Sequence, residues 1–133
     1  MKKLLRILVL GLLLSGNAYA EVYYCIEQDA TGFHSDTDDV KTYNIRTFNT
    51  KKFKAMIDFD KGTFQAKDIE PGANFSCKKI SSQKYSMSCM NNFGHIFTIA
   101  GDIPTIDYFN FTRATTYGRG DSLLIAYGNC EKF

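Results

Sequence analysis

The chain has no Trp, and its 133 residues include only two Pro and two His. It has no Gly-rich phosphate loop, no C-x-x-C pair and no Cys/His pair at zinc-ligand spacing. These gaps exclude a nucleotide cradle, a thioredoxin-type redox site and a structural zinc site. No nucleophile-elbow motif marks a hydrolase serine. No stretch has helical periodicity, no repeat recurs and no Pro-rich linker divides the chain, so coiled coil, solenoid and low-complexity classes fall away. Neither a cofactor nor a metal is expected.

The sequence contains one apolar run. Lys2, Lys3 and Arg6 precede an uncharged stretch from Ile7 to Leu14, and Ala18-Tyr19-Ala20 supplies the small residues of a cleavage site. This is the pattern of an export signal cut after Ala20. The run is far short of the roughly 20 residues that cross a hydrocarbon core. No Cys follows the small residues, so a lipid anchor would lack its thiol. The expected mature domain is residues 21–133, a single unit with no membrane span. Three of the sixteen Lys and Arg leave with the signal, so thirteen remain against fourteen Asp and Glu. A nearly neutral chain lacks the basic stripe that nucleic acid requires. Local clusters at Lys51, Lys52 and Lys54 and at Lys78, Lys79 and Lys84 read as solvated strand faces.

All four Cys, at 25, 77, 89 and 130, lie after the signal, and an exported chain meets oxidising conditions where an even number of Cys pairs. Three connectivities exist. Cys77 and Cys89 flank the turn-rich Ser81-Ser82-Gln83 on two alternating segments, and a hairpin centred near Gln83 sets them opposite each other on one face. Cys25 and Cys130 then tie the first strand to the last. The expectation is Cys25–Cys130 and Cys77–Cys89.

After Glu21 the pattern has period two. Phe53, Ala55, Ile57 and Phe59 alternate with Lys52, Lys54, Met56 and Asp58, a half-buried strand. Asp60-Lys61-Gly62 turns the chain, with Gly62 in the left-handed position. Strands are expected over 22–27, 52–59, 63–67, 74–79, 84–90, 95–100, 106–113 and 122–128, with a weaker one within 42–48. Turns recur every ten to twelve residues. The fold class is therefore all-β, a single small antiparallel meander of about eight strands closing as a barrel or sandwich. Eleven Phe and seven Tyr after residue 20 serve to fill its inside. An eight-stranded barrel either packs solid or holds one small ligand.

Candidate chemistry is sparse. His34 stands beside Ser35, Asp36, Asp38 and Asp39, groups that serve acid-base work or a hard cation. Val40 and Lys41 break a calcium-loop pattern there, which leaves a solvated acidic loop. His95 opens a strand and reads as a half-buried structural histidine. Arg119-Gly120-Asp121 follows Gly118 and reads as a β-turn. Asn74-Phe75-Ser76 and Asn110-Phe111-Thr112 fit glycosylation acceptors inside strands.

Val22-Tyr23-Tyr24-Cys25, Thr31-Gly32-Phe33, the middle residues Phe48, Lys52, Phe53 and Ile57-Asp58-Phe59, and the closing run Ala126-Tyr127-Gly128-Asn129-Cys130-Glu131-Lys132-Phe133 resemble small exported, disulfide-containing proteins of Gram-negative bacteria. That resemblance covers essentially residues 21–133. It implies export and disulfide pairing but transfers no catalytic residue, since no activity is established for those proteins. In size, export and terminal Cys pair the chain is also similar to small periplasmic β-barrel lysozyme inhibitors, without their inhibitory loop motif.

The expectation for function is a non-enzymatic periplasmic or secreted monomer that binds a macromolecular partner as an inhibitor-type or interaction module. Its contact surface would be the loops 31–40 and 115–121, with His34, Asp36, Asp38, Asp39, Arg119 and Asp121. A lipocalin-like carrier of a small apolar ligand is the alternative, and a hydrolase-type enzyme the third reading.

Overall fold

A computed structural model describes residues 20–35, 43–100, 105–117 and 122–133. Apart from Ala20, the expected export segment lies outside them. Nine strands follow in order: β1 (Glu21–His34), β2 (Asn44–Thr47), β3 (Lys52–Asp58), β4 (Thr63–Gln65), β5 (Phe75–Lys79), β6 (Met87–Asn91), β7 (Ile96–Ile99), β8 (Tyr108–Tyr117) and β9 (Ser122–Lys132). Every pairing is antiparallel, and β1 also pairs with β9. β1 and β3–β9 thus form a closed eight-stranded barrel. β2 is an additional strand along the far half of β1. No helix occurs among the described residues.

The expected strands are present, but three are longer than the alternation suggested, and β9 runs on to Lys132. Thr31–His34, read as loop, belong to β1, and Thr115–Tyr117 belong to β8. In β1 the cause is a β-bulge. Register against β9 shifts between Glu27 and Asp29, and the extra residue resets the parity, so that Tyr23, Cys25 and Glu27 face inward before it and Ala30 and Gly32 after it. A period-two reading stops at such a slip although the strand continues.

Asp58 shapes the β3–β4 turn by accepting the backbone N–H groups of Asp60 and Lys61, and Gly62 takes the left-handed conformation at φ 65°. Both disulfides form as expected. Cys25 stands directly opposite Cys130 and Cys77 opposite Cys89, with Cα atoms 4.1 and 3.9 Å apart. The first closes the β1–β9 seam. The two bonds mark a chain that matures in an oxidising, non-cytoplasmic environment.

Aromatic rings fill the barrel. Phe97 stacks between Phe64 and Phe111, with centroids at 4.2 and 4.8 Å, and Phe53 meets it edge-on at 6.1 Å. Nearer the end that carries Glu21 and Phe133, Tyr23, Phe59, Tyr85 and Phe109 form a second group of edge-on and tilted rings. Each ring buried this way removes a large apolar area from water, about 1.5–3 kcal/mol for a Phe.

Candidate functional site

The ring-filled interior gives way to charge at the other end of the barrel. Glu27 on β1 and Arg113 on β8 both occupy inward positions, and their side chains are 0% and 4% exposed. Glu27 Oε1 accepts from Arg113 Nε at 2.7 Å and Nη2 at 2.6 Å. Its other oxygen accepts the backbone N–H of Lys51 at 2.8 Å, and the Glu27 N–H donates to the Lys51 carbonyl. A buried carboxylate is tolerated only when its lone pairs are filled in this way. Here they also pin the connection between β2 and β3 to the barrel.

Glu70 extends the cluster from the long β4–β5 connection. A tight turn, in which Ile69 and Glu70 donate to the Ala66 carbonyl, carries it over the barrel end. One oxygen lies 3.9 Å from Arg113 Nη1, and both lie near His95 Nδ1, at 3.1 and 3.0 Å. The opposite ring nitrogen, Nε2, is 2.8 Å from the Thr116 carbonyl. A carbonyl only accepts, so Nε2 is the donor to Thr116, and Nδ1 faces the Glu70 carboxylate. Both nitrogens of His95 are engaged. The linked side chains Glu27–Arg113–Glu70–His95 close this end of the barrel as an ionic plug.

His34 lies at the end of β1, where its Nδ1 is hydrogen-bonded to Ser122 Oγ across the strand pair. Asp36, Asp38, Asp39, Arg119 and Asp121 lie outside the described residues. Asn110 is an exposed position of β8, and Phe75 and Phe111 of the two glycosylation-type motifs face the interior. Among the described residues no three His, Cys, Asp or Glu side chains converge as metal ligands.

The outer face beside the plug is apolar. Direct cross-strand neighbours run Ile45, Phe33 and Leu123 in one row, and Ile125, Ala114, Ile96 and Met90 in the next. Ile45 is 76% exposed, and Phe33, Leu123, Ile125, Ile96 and Met90 are all exposed. The band crosses six strands, about 24 Å at the ordinary strand spacing. β9 is therefore apolar on both faces, with Leu124 and Ala126 inside and Leu123, Ile125 and Tyr127 outside.

Sequence reasoning missed Glu27, Glu70 and Arg113. Two of them left a trace: a charge at an inward parity, after Tyr23 and Cys25 in one strand and after Phe109 and Phe111 in the other. Glu70 sits in an irregular connection and left none.

Compared with known protein families, with curated proteins and with solved structures, the chain matches none.

Proposed function

We propose that the protein is a non-enzymatic, exported β-barrel module that binds a protein partner in the cell envelope or outside the cell. The carrying observation is the exposed apolar band over β2, β1, β9, β8, β7 and β6. Contiguous apolar patches on a soluble surface mark interaction sites, and the centre of an interface is depleted of charge in the same way. The band borders the β1 and β8 ends from which the expected contact segments 31–40 and 115–121 run, and Phe33 belongs to both. Signal cleavage after Ala20 and a periplasmic or secreted location fit the two disulfides. Outward Lys52, Lys54 and Lys78 on β3 and β5 oppose a lipid-spanning barrel, whose exterior needs an apolar band about 25 Å tall all round. The carrier reading draws no support from a lumen filled by aromatic rings.

The test uses native mass spectrometry on the protein isolated from its host's envelope fraction, alongside Phe33→Ser/Ile125→Ser and a control at the exposed Thr112. The expected result is a defined complex with one protein, weakened about 30-fold by the band variant and unchanged by the control. Equal capture by wild type and band variant overturns the reading. A discrete small-molecule mass on the bare chain replaces it with the carrier.

A further inference from the structure

The β3–β4 turn and the β5–β6 hairpin bring together lysines that are scattered in the sequence. Lys61 comes from the turn, Lys78 and Lys79 from the end of β5 and Lys84 from the hairpin, and all four line one cleft of about 180 Å³ at the barrel end opposite the plug. Asp60 is the one acid among its lining residues. The two ion pairs there are long: Lys61 to the buried Asp58 at 3.7 Å, and Lys84 to the exposed Asp60 at 3.9 Å. Lys78 and Lys79 enter no ion pair among the described residues.

The concentration of charge runs against the rest of the domain. Residues 21–133 carry thirteen basic and fourteen acidic side chains; setting aside these four lysines and Asp60 leaves nine against thirteen. The cleft thus carries an excess of positive charge that the remainder of residues 21–133 lacks, and an anion is drawn to it. The lysines are also held in place. Gly62, at φ 65°, brings the turn so close to β5 that a Cβ there would lie 3.2 Å from the Cys77 carbonyl, and Cys77 is bonded to Cys89.

We propose that this cleft binds a small, soluble, phosphate-bearing ligand with at least two negative charges. Four lysines against two nearby carboxylates, Asp58 and Asp60, leave an excess of positive charge that a multiply charged anion offsets. A phosphate offers several acceptor oxygens to ammonium groups arriving from different directions, whereas a carboxylate offers two in one plane. The apolar side chains lining the cleft, Phe59 and Met87, are buried, so its open surface is polar.

The test is a titration of the isotopically labelled protein with pyrophosphate, read by amide NMR at constant ionic strength, with chloride as the replaced ion. Saturable shifts over 59–62, 77–79 and 84 are expected. Lys78→Ala/Lys79→Ala and, separately, Lys61→Gln/Lys84→Gln should each weaken binding about tenfold or more while the remaining amide spectrum stays that of the folded barrel. The band variant Phe33→Ser/Ile125→Ser should bind pyrophosphate unchanged, which separates this site from the partner surface. Shifts that do not saturate, shifts reproduced by chloride, or binding only to phosphatidylglycerol vesicles would overturn the proposal.

Discussion

Glu27 and Arg113, 86 residues apart in the chain, meet across the smallest inward positions of the strand between them. In the sheet, Gly128 stands between Glu27 and Phe111, and Ala126 between Ala30 and Arg113. At Gly128 even a Cβ would meet the Ile26–Glu27 backbone of β1. The ionic plug therefore depends on β9 being narrow where β1 bulges.

Removing one partner leaves the other charge buried. Arg113→Met should cost about 3–5 kcal/mol, and Glu27→Leu/Arg113→Met together should cost less than either single change. Urea unfolding of the three variants measures this. Additive losses would show that the two side chains are not coupled.

Gly128 and Gly32 test the β1–β9 seam directly. A Cβ at Gly128 would lie 2.0 Å from the Ile26 carbonyl oxygen, and one at Gly32 would lie 1.8 Å from that of Leu123. Both obstacles are backbone, so the strands must part. Gly128→Ala and Gly32→Ala are each expected to destabilise the fold by more than about 2 kcal/mol, whereas Gly72→Ala, with nothing within 4 Å, meets only the cost of its positive φ. Equal losses at the three positions would remove the steric argument.

The architecture was legible because the forces that set it are periodic or local. Phe53, Ala55 and Ile57 declare a strand by alternation, Asp60-Lys61-Gly62 declares a turn by backbone conformation, and the Cys77–Cys89 pairing follows from the hairpin between them. What was not legible depends on relations across the sheet. The bulge in β1 conceals the continuation to His34, and the match between Glu27 and Arg113 exists only once β9 lies between their strands. Ile45, Phe33, Ile125 and Met90 are unremarkable exposed residues in the sequence and form a band only in the closed barrel. The lysine cleft is of the same kind, because Lys61 joins Lys78 and Lys84 through the packing of two turns.

The disulfides should differ in weight. Cys25–Cys130 closes a separation of 105 residues and Cys77–Cys89 one of 12. Constraint of the unfolded chain gives about 4 to 5 kcal/mol for the first and about 3 kcal/mol for the second. Double Ser variants of each pair, compared by thermal unfolding, should show the terminal pair costing more. A larger loss from the hairpin pair would mean that local rigidity outweighs loop closure.

Tyr23 provides the pH-dependent test. Its hydroxyl donates to the Ile106 carbonyl at 2.7 Å and lies 3.1 Å from Glu21 Oε2. Burial, and then the hydrogen bond and charge of Glu21, push its ionisation well above the ordinary tyrosine range. The folded chain keeps this proton at a pH where the unfolded chain has released it, so the folded state binds more protons and stability falls as pH rises above about 10. Lys132 contributes in the same direction. Its hydrogen bond to Glu21, at 2.8 Å, holds the ammonium form to higher pH, and that contribution is likewise lost as pH rises. Tyr23→Phe should cost about 1 kcal/mol near neutrality by leaving the Ile106 carbonyl without its donor, and should flatten the alkaline fall in the urea midpoint. Parallel falls for wild type and Tyr23→Phe would assign the alkaline loss to other groups.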